Sequence, residues 1–183
     1  SRRRQRQMCI RDRLAAMMIL LFLFFPWCVI ALLIKLDSKG PVIIWSRRVG
    51  INKKIFNIPK LRTMQTTTPQ KASHLLDDPD KYITRVGKFL RVSSLDETPQ
   101  LISVLKGDMS FIGPRPALFN QTDLISLRDK YGIYNMKPGI TGWAQVNGRD
   151  NVSINEKVDL EYFHLLNRSI LMDMKIIFKT FFR

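Results

Sequence analysis

Arg91–Pro116 reads RVSSLDETPQLISVLKGDMSFIGPRP, and the prolines and glycines in it divide the segment into parts. Proline lacks an N–H and is comfortable only in a helix's first turn, so Pro99 puts a helix start near Leu95 or Asp96. Gly107 ends it, giving an expected helix from about Asp96 to Lys106. At such a start, unpaired backbone N–H groups and the helix dipole favour an anion. The Asp96 carboxylate is therefore expected to stay ionised, as a nucleophile or metal ligand must. Neighbouring helical side chains diverge by about 100°, which leaves Asp96 and Glu97 free to take separate roles. A plainer reading stands beside this one, because Ser94-x-x-Glu97 matches a capping box. Beyond Gly113, Pro114-Arg115-Pro116 holds an arginine between two fixed φ angles and restricts where its fork can point.

Working outward, further cations appear on both sides. Lys60 and Arg62 lie in PKLRTM, Arg85 and Arg91 precede the acidic pair, and Arg149 follows Asn147-Gly148. A phosphoryl-transfer site needs cations held rigidly around phosphate oxygens. Taken singly, each of these is equally a solvated surface charge. PVIIW (41–45) and IFNI (55–58), joined by a polar turn, read as a β-hairpin. Gln65 to Lys81 reads as an exposed loop. Helices are expected over Leu118 to Tyr131 and, from the capping box Ser153-x-x-Glu156, as far as Leu166. Ile170, Leu171, Met174, Ile177, Phe178, Phe181 and Phe182 fall on one helical face with basic residues beside them. That pattern suits a membrane surface or ordinary packing on a core.

The 183 residues carry a net charge of +15, which calls for an anionic partner: nucleic acid, phosphorylated substrate or anionic lipid. Cys9 and Cys28 form no secreted-type framework, and Cys28 reads as a buried free thiol. His74 and His164 have no Cys or His at ligand spacing, which argues against zinc. Leu14 to Ile34 is twenty-one residues without a charge, enough to cross a hydrocarbon core as a helix. Pro26 interrupts it, and basic residues flank both ends, so a spanning anchor and a hairpin that turns back both fit. The opening SRRRQRQMCIRDR resembles translated sequencing-adapter sequence, the alternative being a cytoplasmic basic flank that meets anionic lipid. The chain thus divides into a basic flank (1–13), an apolar segment (14–36) and a domain that carries the acidic pair (37–183).

With these motifs in order, the chain closely resembles the monotopic phosphoglycosyl transferases, or bacterial sugar transferases. The likeness runs from about Gly40 to Thr180, through GPVIIWSRRVG, FNIPKLRTM, ITRVGKFLR, the Arg91–Pro116 segment and KPGITGWAQVNGR. It implies an α+β fold: a small, mostly helical cytoplasmic domain with a short β-hairpin, amphipathic interfacial helices and an N-terminal re-entrant membrane helix broken at Pro26. It implies an enzyme of the inner membrane that moves a phosphosugar from a UDP-sugar to polyprenyl phosphate. Asp96 would be the nucleophile and a ligand of Mg²⁺, with Glu97 assisting as base or at the metal. Arg115 would clamp phosphate, supported by Lys60, Arg62, Arg91 and Arg149. Implied partners are membrane lipids and downstream glycosyltransferases. Phe25, Ser46 and Thr98 stand where many relatives carry a small polar residue, Gln and Leu. Two rival readings are a catalytically inactive relative and a basic, membrane-anchored nucleic-acid binder. No nucleic-acid motif supports the second, so nucleic acid is not an expected partner.

Overall fold

A computed structural model describes residues 2–68, 79–148 and 152–182, with side chains in the first helix from residue 10 onward. The chain opens with α1 (Arg2–Asp37), continues into β1 (Ile43–Val49) and β2 (Ile55–Leu61), and then α2 (Arg85–Val92). A 3₁₀ segment, Leu95–Gln100, feeds α3 (Leu101–Lys106), followed by β3 (Ser110–Ile112), β4 (Ala117–Leu118) and α4 (Thr122–Lys130). β5 (Gly139–Thr141), α5 (Trp143–Asn147), α6 (Ile154–Leu166) and α7 (Ile170–Phe181) complete it. The fold is α+β, as expected.

α1 is a single helix that runs through Pro26, so the expected break there is not a break in helical structure. Packing gives the reason. Asp12, Ala16, Leu20, Leu23, Trp27, Ile30 and Ile34 recur every three or four residues, the spacing of one helical face. Asp12 accepts a bond from Ser110 Oγ at 2.5 Å. Ala16, Leu20 and Leu23 pack with Ile58, Leu101, Val104 and Met109, and Ile30 and Ile34 pack with Leu61 and Leu90. The stripe stays in phase across Pro26, and the two halves are held against one domain surface. Pro26 itself faces outward, where the lost hydrogen bond does not disturb the packed face. The opposite side exposes Met18, Leu21, Phe22, Phe25, Leu32 and Leu36. Cys28 is exposed as well, not buried as expected.

The expected hairpin forms with longer strands, β1 and β2 running antiparallel from Ile43↔Leu61 to Val49↔Ile55. Its turn holds Asn52 and Lys53 at φ 52° and 61°, the left-handed pair that matches a hairpin's twist. β4 adds to the other edge of β1 through Arg48↔Leu118 and Val49↔Ala117. That pairing takes Leu118 out of α4, which begins at Thr122 instead. The Ser153–Glu156 capping box is present in full at the start of α6. On α7 the buried residues are Met172 and Ile176, while Ile170, Leu171, Met174, Ile177, Phe178, Phe181 and Phe182 are all exposed. The apolar face picked out in the sequence is therefore not the one that packs on the core.

A candidate active site around two carboxylates

Asp96 and Glu97 sit in the first turn of the 3₁₀ segment rather than in an α-helix. Pro99 accounts for this. In an α-helix the N–H of residue 99 would bond Leu95 O, and proline has none to give. The Thr98 hydroxyl takes its place, donating to Leu95 O at 2.7 Å. The same hydroxyl accepts from Trp27 Nε1 at 2.9 Å. Ser94, just before the turn, is left-handed at φ 56° and makes no side-chain cap. The capping-box reading of Ser94-x-x-Glu97 therefore fails.

Glu97 is turned toward cations instead. Arg115 Nη2 donates to Glu97 Oε1 at 2.6 Å and Nη1 to Oε2 at 3.2 Å, a two-pronged grip. Lys60 Nζ donates to Oε1 at 2.7 Å. Burial pushes the Glu97 carboxyl up, but Arg115 and Lys60 outweigh it and hold it at about 2. Such a carboxylate is a poor proton acceptor. Its neighbour is shifted the other way. Burial raises Asp96 above the ordinary aspartate value, and the adjacent Glu97 charge adds to this, against the opposing pull of Lys60 and Arg91.

Arg115 is fixed from both sides. β3 and β5 pair in parallel, Ser110↔Gly139 and Ile112↔Thr141, and Gly139 N donates to Pro114 O at 3.0 Å. A Cβ added at Gly113 would lie 2.3 Å from Lys137 O, one at Gly139 2.1 Å from Gly113 N, and one at Gly142 2.1 Å from Gly113 O. Only glycines let these backbones approach so closely. On the far side, Arg48 Nη1 donates to Pro116 O at 3.1 Å. Burial lowers Arg48 to about 10, helped by the neighbouring Arg115 charge. Lys60 is likewise lowered, first by burial.

Among the other expected site residues, Arg91 lies at the end of α2, where its Nε donates to Thr63 Oγ1 at 3.0 Å, close enough to act on Asp96. Arg62 points elsewhere. Its Nη2 donates to Ser38 O at 2.6 Å and Ile34 O at 3.2 Å, binding the carbonyls that end α1. Arg149 lies outside the described residues. Arg48 was not picked out from the sequence, although strand alternation separates it from the exposed Arg47 and places it on the inner side. Trp27 and Thr98 were also missed, since their contact joins residues 71 apart.

The sequence matches the family model described as bacterial sugar transferase over residues 4–183. It is 41% identical over 181 residues to UDP-glucose:undecaprenyl-phosphate glucose-1-phosphate transferase of Escherichia coli (strain K12), covering 94% of this chain and 39% of that protein. It is 39% identical over 155 residues to UDP-N-acetylgalactosamine-undecaprenyl-phosphate N-acetylgalactosaminephosphotransferase of Aeromonas hydrophila, covering 82% and 37%. Undecaprenyl-phosphate galactose phosphotransferase of Salmonella typhimurium (strain LT2) is 38% identical over 157 residues, with 77% and 33% covered. The chain thus spans less than two fifths of the length of these three relatives.

Proposed function

We propose that this chain, which belongs to the bacterial sugar transferase family, transfers a phosphosugar from a UDP-sugar to polyprenyl phosphate, with undecaprenyl phosphate suggested by the relatives' names. The observation that carries this reading is the opposite treatment of two adjacent carboxylates. Glu97 is pinned in its charged form by two cations, while Asp96 is pushed toward greater basicity. Environments that drive neighbouring titratable groups apart mark separate chemical roles.

In the first step an Asp96 oxygen attacks the sugar-bearing β-phosphorus. The bond to the α-phosphate breaks, UMP leaves, and an aspartyl phosphosugar remains. In the second step an oxygen of the acceptor phosphate attacks the same phosphorus and the Asp96–phosphorus bond breaks, giving polyprenyl diphosphate sugar. Covalent relay of this kind divides one hard displacement into two easier ones. Arg115 and Lys60 meet the phosphate oxygens, and Glu97 orients both cations rather than moving a proton. Mg²⁺ binds through one or two carboxylates plus substrate phosphates, and Asp96 is the carboxylate that would hold it. When bound, the ion neutralises phosphate oxygens.

The acceptor's apolar tail confines its phosphate to a bilayer surface, so the site belongs at that depth. α1 is long and apolar enough to cross a membrane by composition, but it lies lengthwise on the domain from Asp12 to Ile34. That geometry supports entry into one leaflet of the cytoplasmic membrane, with the outward apolar side of α1 and the exposed face of α7 meeting lipid.

The test is UMP release by the protein in nanodiscs supplied with UDP-sugars, Mg²⁺ and undecaprenyl phosphate. Without acceptor, a labelled phosphosugar should be trapped on Asp96. Asp96→Asn should abolish both signals while remaining folded. Full turnover by that variant would refute the nucleophile.

A further inference from the structure

We propose that Trp27 and Thr98 are a positioning pair, through which the apolar helix holds the carboxylate-bearing turn in its working shape. Among the described residues, Trp27 is the one side chain in the uncharged part of α1 that hydrogen-bonds to the domain, Nε1 to Thr98 Oγ1 at 2.9 Å. A partly buried indole N–H needs such an acceptor.

The acceptor is not an arbitrary one. Thr98 Oγ1 is already donating to Leu95 O at 2.7 Å, in the place of the bond that Pro99 cannot make. A hydroxyl has one proton and two acceptor lone pairs. By offering its own N–H, Trp27 occupies a lone pair and leaves the Thr98 proton directed at Leu95 O. The relay Trp27, Thr98, Leu95 thus closes the turn across Asp96 and Glu97, the two residues between Leu95 and Thr98.

This turn has few supports of its own. Ser94 enters it in a left-handed conformation without a side-chain cap, and α3 beyond it is only six residues long. Glu97 N reaches Ser94 O at 3.3 Å, a long bond. α1 adds a restraint from a position one residue past Pro26, in the stripe that also carries Leu23 and Ile30. Neither Trp27 nor Thr98 is assigned contact with the reacting atoms. Their effect acts through the placement of Asp96.

The kinetic part of the test rests on the proposed transfer reaction, and the exchange part does not. The protein in nanodiscs is compared as wild type, Trp27→Phe, Thr98→Val, Thr98→Ser and the Trp27→Phe/Thr98→Val double variant. Hydrogen–deuterium exchange over 94–101 should quicken roughly fivefold in Trp27→Phe and Thr98→Val, as expected for loss of one net hydrogen bond, and Thr98→Ser should match wild type. UMP release should fall about 5- to 20-fold in kcat in the same two variants, with KM for the UDP-sugar within about twofold. The double variant should be no worse than the more affected single, as for residues acting as one unit. Unchanged exchange in both single variants, or losses that simply multiply in the double variant, would overturn the pair. If wild type releases no UMP from any UDP-sugar while exchange responds as described, the transfer reading falls and the coupling stands.

Discussion

Glu97 and Glu161 each receive both prongs of an arginine fork. Arg115 grips Glu97 through Nη1 and Nη2. Arg128 grips Glu161 through Nε at 2.7 Å and through Nη2. The chemistry is the same, but the surroundings are not. The Arg128 and Glu161 side chains are 1% and 2% exposed, sealed between α4 and α6, whereas Arg115 and Glu97 are 38% and 19% exposed. The sealed pair meets no solute and can only hold two helices together. The half-open pair shares its carboxylate with Lys60, faces solvent through its arginine and adjoins a second carboxylate. Lys53–Asp129 marks the far end of the series, at 53% and 49% exposed. What separates scaffold from site is access and company, not the ion pair itself.

Substitutions can break this ordering, and the largest effect belongs to Asp96. Asp96→Asn should lower UMP release at least about 10³-fold, roughly 4 kcal/mol of transition-state stabilisation. Its melting temperature should not fall. Burial raises the folded Asp96 pKa, so its charge weakens the fold as pH rises through that value, and the amide removes this. Glu161→Ala should do the opposite, destabilising by about 3–5 kcal/mol because Arg128 is left charged and buried alone. Equilibrium denaturation measures it. Equal stability losses for Glu97→Gln and Glu161→Gln would make Glu97 scaffold too.

A pH series sharpens the contrast between the two neighbours. Glu97, held at about 2, contributes stability above the ordinary glutamate value and loses it as pH falls through about 2. It should be ionised across any workable assay range. The acidic limb of kcat/KM should therefore belong to Asp96. Lys60→Met removes a cation that lowers Asp96, so the limb should move to higher pH. A limb that stayed in place would detach Lys60 from the nucleophile. The smallest effect is expected at the open end of the series. Asp129→Asn should change stability by no more than about 1 kcal/mol and leave turnover unaltered.

Local signals in the sequence were reliable where the structure is local. The hairpin and the Ser153–Glu156 cap depend on nearby residues, and both formed, the hairpin with longer strands that take Arg47 to Val49 out of the expected turn. The acidic pair was visible, but the state of its members was not. Whether Glu97 caps a helix or binds Arg115 depends on a contact 18 residues away. Arg62 shows the same limit, since the helix end it binds comes from residues 34 and 38. β3 and β5 are three residues each, too short for any alternation to announce them. Pro26 was read as a break because proline weakens an isolated helix. The domain packed along both halves of α1 is what the isolated sequence lacked.

The meeting of Gly113, Gly139 and Gly142 has a practical consequence for redesign. No side chain can be introduced there to widen or narrow the neighbourhood of Arg115, because main chain already fills the space. A graft of 113–116 into another scaffold would have to carry 137–142 along as its mould. The two stretches are portable only as one cassette.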